Sequence, residues 1–376
     1  MGEGITIKSG DNINVRDNKV GKYPIYGGNG INGYFDNYNV ETDTIVIGRV
    51  GFNCGSIHQT KSKAWVTDNA FIVSFENIFY PTYLCFLLKW LQLSKTSNST
   101  AQPVISGKGI YPLFVPIPPF DEQNRIAEEI DHWFSLIDKI EQEKIDLQSI
   151  IKQTKSKILD LAIHGKLVPQ DLNDEPASEL LKRINPKAEI TCDNGQYGKV
   201  PFDVPSSWVW TRLGEIGTWQ SGGTPSRSNK SYYGGDIPWL KTGDLNDGLI
   251  IDIPESITQE AVENSSAKLN PTGSILIAMY GATIGKLGIL TFPATTNQAC
   301  CACTVLNEIN KEYLFYFLLS NRTEFVKMGG GGAQANISKE KIINTNFPLP
   351  PLAEQKRIVD AIHATFAKLD TIMESL

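Results

Sequence analysis

Apolar residues fall into two textures along the chain. Short buried-looking runs, bounded by Gly, Asn and Pro, lie at residues 45–50, 71–75, 275–279 and 300–305 and read as strands. Residues 79–93 and 312–325 carry a wide apolar face and read as helices. A third stretch, 121–162, contains neither Pro nor Gly. In it Ile126, Trp133, Ile140, Leu147, Thr154 and Leu161 recur every seven residues, interleaved with Ile130, Ile137, Lys144, Ile151 and Ile158. Two such series, offset by four and three, form an a/d seam and predict a coiled-coil helix. About 42 residues at 1.5 Å each would make a rod of roughly 60 Å.

The pattern occurs twice. Pro116-Ile-Pro-Pro-Phe-Asp-Glu-Gln-Asn-Arg-Ile returns as Pro348-Leu-Pro-Pro-Leu-Ala-Glu-Gln-Lys-Arg-Ile, with 11 identities over 25 residues at offset 232. Ile45-Val-Ile-Gly-Arg-Val-Gly pairs with Ile275-Leu-Ile-Ala-Met-Tyr-Gly at offset 230. Tyr83-Leu pairs with Tyr313-Leu, Ala101-Gln102 with Ala333-Gln334, and Gly2-Glu3 with Gly214-Glu215 at offset 212. A collinear series of this kind implies a duplicated unit. The growth in offset places about 18 extra residues in the second copy, expected at residues 226–244. The second helical copy keeps the seam at Ile358, Ile362, Thr365, Leu369, Ile372 and Leu376. Antiparallel pairing of the two helices is the expected arrangement. The predicted order is a globular unit at 1–115, a helical spacer and linker at 116–200, a second globular unit at 201–347 and a distal helix at 348–376.

The motifs resemble the specificity subunit of type I restriction–modification systems. The resemblance is carried by the two Pro-x-Pro-Pro-x-x-Glu-Gln boxes and by Ala162-Ile-His-Gly-Lys-Leu-Val-Pro-Gln-Asp171. It extends to Asn173-Asp-Glu-Pro-Ala-Ser178, Val204-Pro-Ser-Ser-Trp208-x-Trp210, Leu213-Gly-Glu-Ile216 and Ser221-Gly-Gly-Thr-Pro-Ser226. Tyr232-Tyr-Gly-Gly-Asp-Ile-Pro-Trp-Leu-Lys-Thr-Gly-Asp244 and Tyr23-Pro-Ile-Tyr-Gly-Gly-Asn-Gly-Ile-Asn-Gly33 complete it. Two features depart from the pattern. The Trp-x-Trp-x-x-Leu lead-in at 208–213 has no counterpart before Gly2, and the distal helix stops at Leu376 without a second Ala-x-x-Gly-x-Leu ending.

The resemblance implies an α+β architecture: two similar target recognition domains separated by long conserved helices that form an antiparallel coiled coil. It implies a non-catalytic, DNA-binding subunit of a phage-defence system in the cytoplasm, with no cofactor of its own. Each domain would read one half of a split site on double-stranded DNA. The helices would set the spacing and dock two modification (methyltransferase) subunits. Restriction subunits, which bring ATP-dependent translocation and cleavage, are a further implied partner. Glu122, Gln123, Arg125, Glu354, Gln355 and Arg357 of the repeated boxes are the expected docking residues.

Half-sites on one DNA face lie about one turn apart, roughly 34 Å. Base edges are read by polar side chains, while Lys and Arg on phosphates position the protein. In the first unit the residues with this chemistry are Arg16, Lys22, Tyr26, Asn29, Asn32, Tyr34, Arg49, Lys61, Lys63 and Asn98. In the second they are Thr224, Ser226, Arg227, Asn229, Lys230, Tyr232, Lys241, Thr242, Tyr280, Lys286 and Gln334. A scaffold whose two modules bind proteins rather than DNA is the alternative reading.

Composition changes the picture in one respect. The net charge is -6 and the pI about 5.4, which argues at first against a nucleic-acid binder. Residues 121–200 alone carry -5, however, against +2 for 1–115, -2 for 201–347 and -1 for 348–376. The acidity belongs to the spacer, and the recognition units are near neutral. Candidate enzyme chemistry is thin. Cys300-Cys301-Ala302-Cys303 offers one Cys-x-x-Cys where a structural zinc site needs four ligands, and it falls in a predicted buried strand. His58, His132, His164 and His363 show no metal spacing, and Gly329–332 is followed by no Gly-Lys-Ser/Thr. Six irregular cysteines suit a reducing compartment. The residues after Met1 do not read as a leader, and no apolar run is long enough to span a membrane.

Overall fold

The computed structural model describes residues 1–13, 21–98, 103–190, 200–330 and 335–376. These form two units, Met1–Glu143 and Lys144–Leu376. No helix among the described residues is long and apolar enough to cross a membrane.

The first unit contains β1 (Ile5–Ser9), β2 (Tyr23–Gly27), β3 (Gly30–Phe35), β4 (Ile45–Gly48), β5 (Ile57–Gln59), β6 (Trp65–Val66) and β7 (Ala70–Phe75). Helices α1 (Pro81–Trp90) and α2 (Gly107–Ile110) follow, and α3 (Phe120–Ile163) begins in this unit and ends in the next. The strands make a four-stranded sheet, β1-β7-β4-β5, and a three-stranded sheet, β3-β2-β6. The β2–β3 turn depends on glycine. A Cβ on Gly28 would lie 2.4 Å from the Val50 carbonyl oxygen, and Gly30 has φ +91°. The core joins Ile45, Ile47, Phe71, Phe79, Leu84 and Leu88 to Ala127 of α3.

The second unit holds α4 (Ala177–Ile184), β8 (Val209–Arg212), β9 (Gly217–Ser221), β10 (Tyr233–Leu240), β11 (Gly248–Ile250), β12 (Ser256–Ile257) and α5 (Gln259–Glu263). Then come β13 (Ile275–Ala278), β14 (Leu287–Leu290), β15 (Thr295–Thr296), β16 (Cys300–Val305), α6 (Lys311–Ser320), α7 (Arg322–Met328), α8 (Lys339–Ile343), β17 (Asn346–Leu349) and α9 (Leu352–Glu374). Its main sheet runs β11-β14-β13-β16-β9, beside β12-β10-β15 and the pair β17-β8.

The duplication holds residue by residue. Ile5 pairs with Phe75 and Ser9 with Phe71; Gly217 pairs with Val305 and Ser221 with Cys301. Ile45 faces Val73 and Gln59 as Ile275 faces Cys303 and Ile289. The parallel ladder of Ile25–Tyr26 with Trp65–Val66 returns as Trp239–Leu240 with Thr295–Thr296.

That last register corrects the position of the extra residues. Tyr26 corresponds to Leu240 at offset 214, while the bridge Val40–Ala64 corresponds to Asn270–Ala294 at offset 230. Nearly all of the inserted chain therefore lies between Leu240 and Asn270, downstream of most of 226–244. It builds β11, β12 and α5, and β11 adds a fifth strand alongside β14.

The helical seam is realised over part of its length. In the second unit Ile158, Leu159, Ala162 and Ile163 share a core with Ile358, Val359 and Ile362 of α9. Lys155 meets Asp370 and covers the Phe366 ring at 5.0 Å, and Lys144 reaches the Leu376 carbonyl. Partner numbers fall in one helix as they rise in the other, which is the expected antiparallel sense. Trp133, Ile137, Ile140 and Leu147 are between 36% and 64% exposed, so the middle of the seam is uncovered. The helix stops at Gly165, whose φ of +67° is the usual left-handed terminator. His164 stacks on Phe202 at 3.8 Å and contacts the Asp160 carbonyl at 2.7 Å, which gives it a structural role at this junction.

Candidate nucleic-acid interface

In the first unit a cleft of about 610 Å³ opens between the outer edge of β5 and one face of α1. It brings together the expected Tyr26, Asn29 and Lys61 with His58, Gln59 and Lys89, which the sequence reading did not single out. Tyr26 is nearly buried and packs on Val40, Val46 and Val66, so it lines the cleft as a core residue. Burial, and then the Lys89 ammonium, hold the His58 imidazole below its ordinary value. Its Nε2 lies 3.1 Å from Ser56 Oγ.

A second group forms a row of alternating cations and rings. Lys22 lies 5.5 Å from the Tyr23 ring, Tyr23 stands edge-on to Tyr38 at 5.1 Å, and Lys63 covers Tyr38 at 4.1 Å. Lys63 also bonds the Tyr38 hydroxyl at 2.8 Å and Glu41 at 3.2 Å, which raises its pKa. Asn32 and Tyr34 are exposed on β3, and Asn98 is exposed at a loop end. Arg49 is more confined. Its Nη1 lies 3.4 Å from Ser9 Oγ and from the Asp68 carbonyl, and the guanidinium sits over Phe71. Arg16 and Gln334 lie outside the described residues.

In the second unit the expected residues gather around Trp239, which is buried and donates from Nε1 to the Gly223 carbonyl at 3.0 Å. Arg227 covers the Tyr233 and Trp239 rings at 4.7 and 5.0 Å, and Lys241 approaches Trp239 at 5.7 Å. Glu255 pairs with both cations. Thr224 bonds Gln298, Ser226 bonds Ser228, and Asn229 caps the turn that carries Lys230 and Tyr232. Thr242 opens the next turn. Tyr280 and Lys286 flank a separate loop at 281–285, with Tyr280 44% exposed.

The two clefts differ although the fold repeats. His58, Gln59, Lys61 and Lys89 correspond at offset 230 to Gly288, Ile289, Thr291 and Leu319. In the second unit Gly248 and Leu249 of the inserted β11 line the equivalent space, with Ile289, Phe315, Tyr316 and Leu319. The positions that carry His58, Gln59, Lys61 and Lys89 in one copy are thus held by small, apolar or neutral residues in the other, where an added strand flanks a cleft that also includes Lys155, Asp247, Glu312, His363 and Asp370.

The repeated Glu-Gln boxes are largely internal, which corrects the expectation of docking for three of their residues. Gln123 is wholly buried; it accepts from Tyr80 N–H and donates to the Ile78 and Pro118 carbonyls, at 2.8 to 2.9 Å. Gln355 does the same with Asn310 N–H and the Pro350 carbonyl. Glu354 is also buried, accepting from Trp208 Nε1 at 2.8 Å and from Gln170. Burial raises its pKa against those bonds. Arg357 grips Asp174 at 2.6 and 3.2 Å. Glu122 and Arg125 are exposed. A buried Gln that closes a Pro-rich turn onto the preceding helix resembles an exposed one in sequence, because the turn geometry decides which it is.

Among the described residues no three His, Cys, Asp or Glu side chains converge on a metal-sized site. Cys300, Cys301 and Cys303 are buried in β16, and burial pushes the Cys301 thiol up to about 12.

A family model for the type I restriction modification DNA specificity domain matches residues 2–149 and 205–376. The chain belongs to this family. Both matched segments coincide with the repeated units of the fold. Over 173 residues the specificity-domain chain is 33% identical to the EcoR124I/EcoR124II specificity subunit of Escherichia coli, covering 44% of this chain and 42% of that one. It is 32% identical over 164 residues to the MjaIX specificity subunit of Methanocaldococcus jannaschii, covering 42% and 38%. The matched parts thus span about two fifths of these relatives. A longer, weaker match, 25% over 345 residues, joins it to the HindI specificity subunit of Haemophilus influenzae, covering 77% and 73%. The fold is shared with the HsdS subunit from Thermoanaerobacter tengcongensis (TM-score 0.55, 18% identity, 89% and 76% covered). It is shared also with a chain from a structural study of type I R-M complex assembly (TM-score 0.68, 16% identity, 99% and 92% covered).

Proposed function

We propose that this chain is the non-catalytic, sequence-reading subunit of a type I restriction–modification complex. Each unit reads one half of a bipartite DNA site, and α3 with α9 sets the spacing and docks the modification subunits. One observation carries the reading: the two units repeat the same strand registers, yet their polar loops and clefts differ in chemistry. Equal scaffolds with unequal reading surfaces suit a site whose halves differ in sequence. The exposed seam around Trp133, Ile137 and Ile140, together with Glu122 and Arg125, is the surface offered to a modification subunit. Near-neutral reading units give few phosphate contacts, which fits a reader that needs partner subunits to clamp the duplex.

The test replaces residues 201–347 with the matching unit of another family member and maps the methylated site in cells. One half of the recognised sequence should change and the other persist. A change in both halves overturns the two-module account. Failure of purified chain plus modification subunit to shift DNA in a sequence-dependent way overturns the DNA reading in favour of a protein scaffold.

A further inference from the structure

Phe52 is 93% exposed, yet the loop that carries it is closely built. This loop closes the β4–β5 hairpin. Cys54 N–H donates to the Gly51 carbonyl at 3.0 Å, Gly55 N–H to the Gly48 carbonyl at 2.7 Å and Ser56 N–H to the Asn53 carbonyl at 3.1 Å. Gly51 and Gly55 have φ of +95° and +87°, and a Cβ on Gly55 would lie 2.4 Å from the Ser94 nitrogen. Cys54 is buried beneath the loop and anchors it. The ring therefore stands in water on a base that is already ordered, so covering it costs little conformational freedom.

The same loop closes the β13–β14 hairpin of the second unit. Ile284 N–H donates to the Gly281 carbonyl at 3.2 Å, Gly285 N–H to Ala278 at 3.0 Å and Lys286 N–H to Thr283 at 2.9 Å. The outside bonds repeat too. Gly51 N–H donates to Pro103 and Arg49 N–H to Asn69, as Gly281 does to Ala335 and Met279 to Ala299. Ile284 is buried in the place of Cys54. The exposed tips differ: Phe52 and Asn53 in one unit stand where Ala282 and Thr283 stand in the other.

The surroundings of the ring suit nucleic acid. Ser56 Oγ donates to the Gly28 carbonyl at 3.2 Å, which pins the loop to the turn that exposes Asn29. On its other side, Asn98 N–H donates to the carbonyl of Val104, next to Pro103. Arg49 stands at the base of the loop, and no residue of 48–56 or 278–286 is acidic. Phe52 is thus bracketed by groups that suit base edges and phosphates.

We propose that Phe52 is a wedge that enters one base step of the half-site read by the first unit. The ring parts two neighbouring base pairs and takes a place in the stack, the way apolar side chains bend a duplex. Pyrimidine–purine steps open at least cost, so the wedge selects sequence by deformability rather than by an edge contact. Ala282 is too short to follow, so the second half-site keeps its stacking at the equivalent step. The wedge rests on the DNA reading given above.

The test uses the full chain with its modification subunit, on duplexes carrying the site mapped by the unit exchange. Permanganate probes unstacked thymine and hydroxylamine unstacked cytosine, so every base pair contributes a reporter. Reactivity that depends on Phe52 should appear at one step of the first half-site. It should be present with the native chain and with Phe52→Trp, and absent with Phe52→Ala. Phe52→Ala should also weaken binding about tenfold or more, while hydrogen exchange in β4 and β7 stays unchanged. Equal reactivity in the native and Phe52→Ala complexes overturns the wedge. So does a loss of affinity in Phe52→Ala with no Phe52-dependent reactivity, which would place the ring on a groove wall or on a partner protein. If the native complex binds no sequence preferentially, the DNA reading itself falls, and the wedge with it.

Discussion

Two side chains, His58 and Glu255, show how neighbouring charges set the behaviour of a residue. His58 is half-buried beside Lys89, so the neutral imidazole is favoured in the folded first unit. Its folded pKa lies below the unfolded one, so its stabilising contribution is complete above the ordinary imidazole range. That contribution fades as pH falls through the range toward the folded value. Lys89→Met should raise the His58 pKa, measured by NMR titration of the ring protons; no upward movement would rule out the Lys89 contribution. Around Trp239, Glu255 neutralises both Arg227 and Lys241. If that cluster meets phosphate, Glu255→Gln should steepen the salt dependence of DNA binding by about one unit of the log–log slope. An unchanged slope places the cluster away from the duplex. Neither arrangement was legible in the chain. Lys89 and His58 are 31 positions apart, and they meet only because α1 packs over the β5 edge.

At the level of elements, the chain announced its duplicated strands well and its insertion poorly. The runs at 45–50, 71–75, 275–279 and 300–305 all became strands within two residues, because each is a short, mainly buried apolar run bounded by turn residues. The predicted helix at 312–325 is broken at Asn321, which ends α6 and precedes α7. The insertion was misplaced because Ile25-Tyr26 and Trp239-Leu240 share no identity. Their equivalence rests on backbone pairing with β6 and β15, which side-chain matching does not register. The Glu-Gln box carries its own prediction. Gln123→Ala leaves Tyr80 N–H and two carbonyls without their buried partner, at a cost of about 2–4 kcal/mol. Chemical denaturation followed by exchange at first-unit amides measures it, and a cost under about 1 kcal/mol would contradict the capping role.

For the whole molecule, the consequence of two cores is separable stability. Phe347→Ala, in the core of the second unit, should cost about 3–5 kcal/mol there. Calorimetry should show two transitions, the Gln123 variant lowering one and the Phe347 variant the other. A single transition moved by both would mean that the units unfold together. The five cysteines among the described residues divide along the same line: Cys54 and Cys85 in the first unit, and Cys300, Cys301 and Cys303 in β16 of the second, all buried and reduced. A thiol that deprotonates near 12 in the closed strand reacts with an alkylating reagent at neutral pH only when that strand opens. The molecule therefore carries two native chemical clocks. The rate of labelling at each set times the opening of its own half, with DNA present or absent, and needs no engineered reporter.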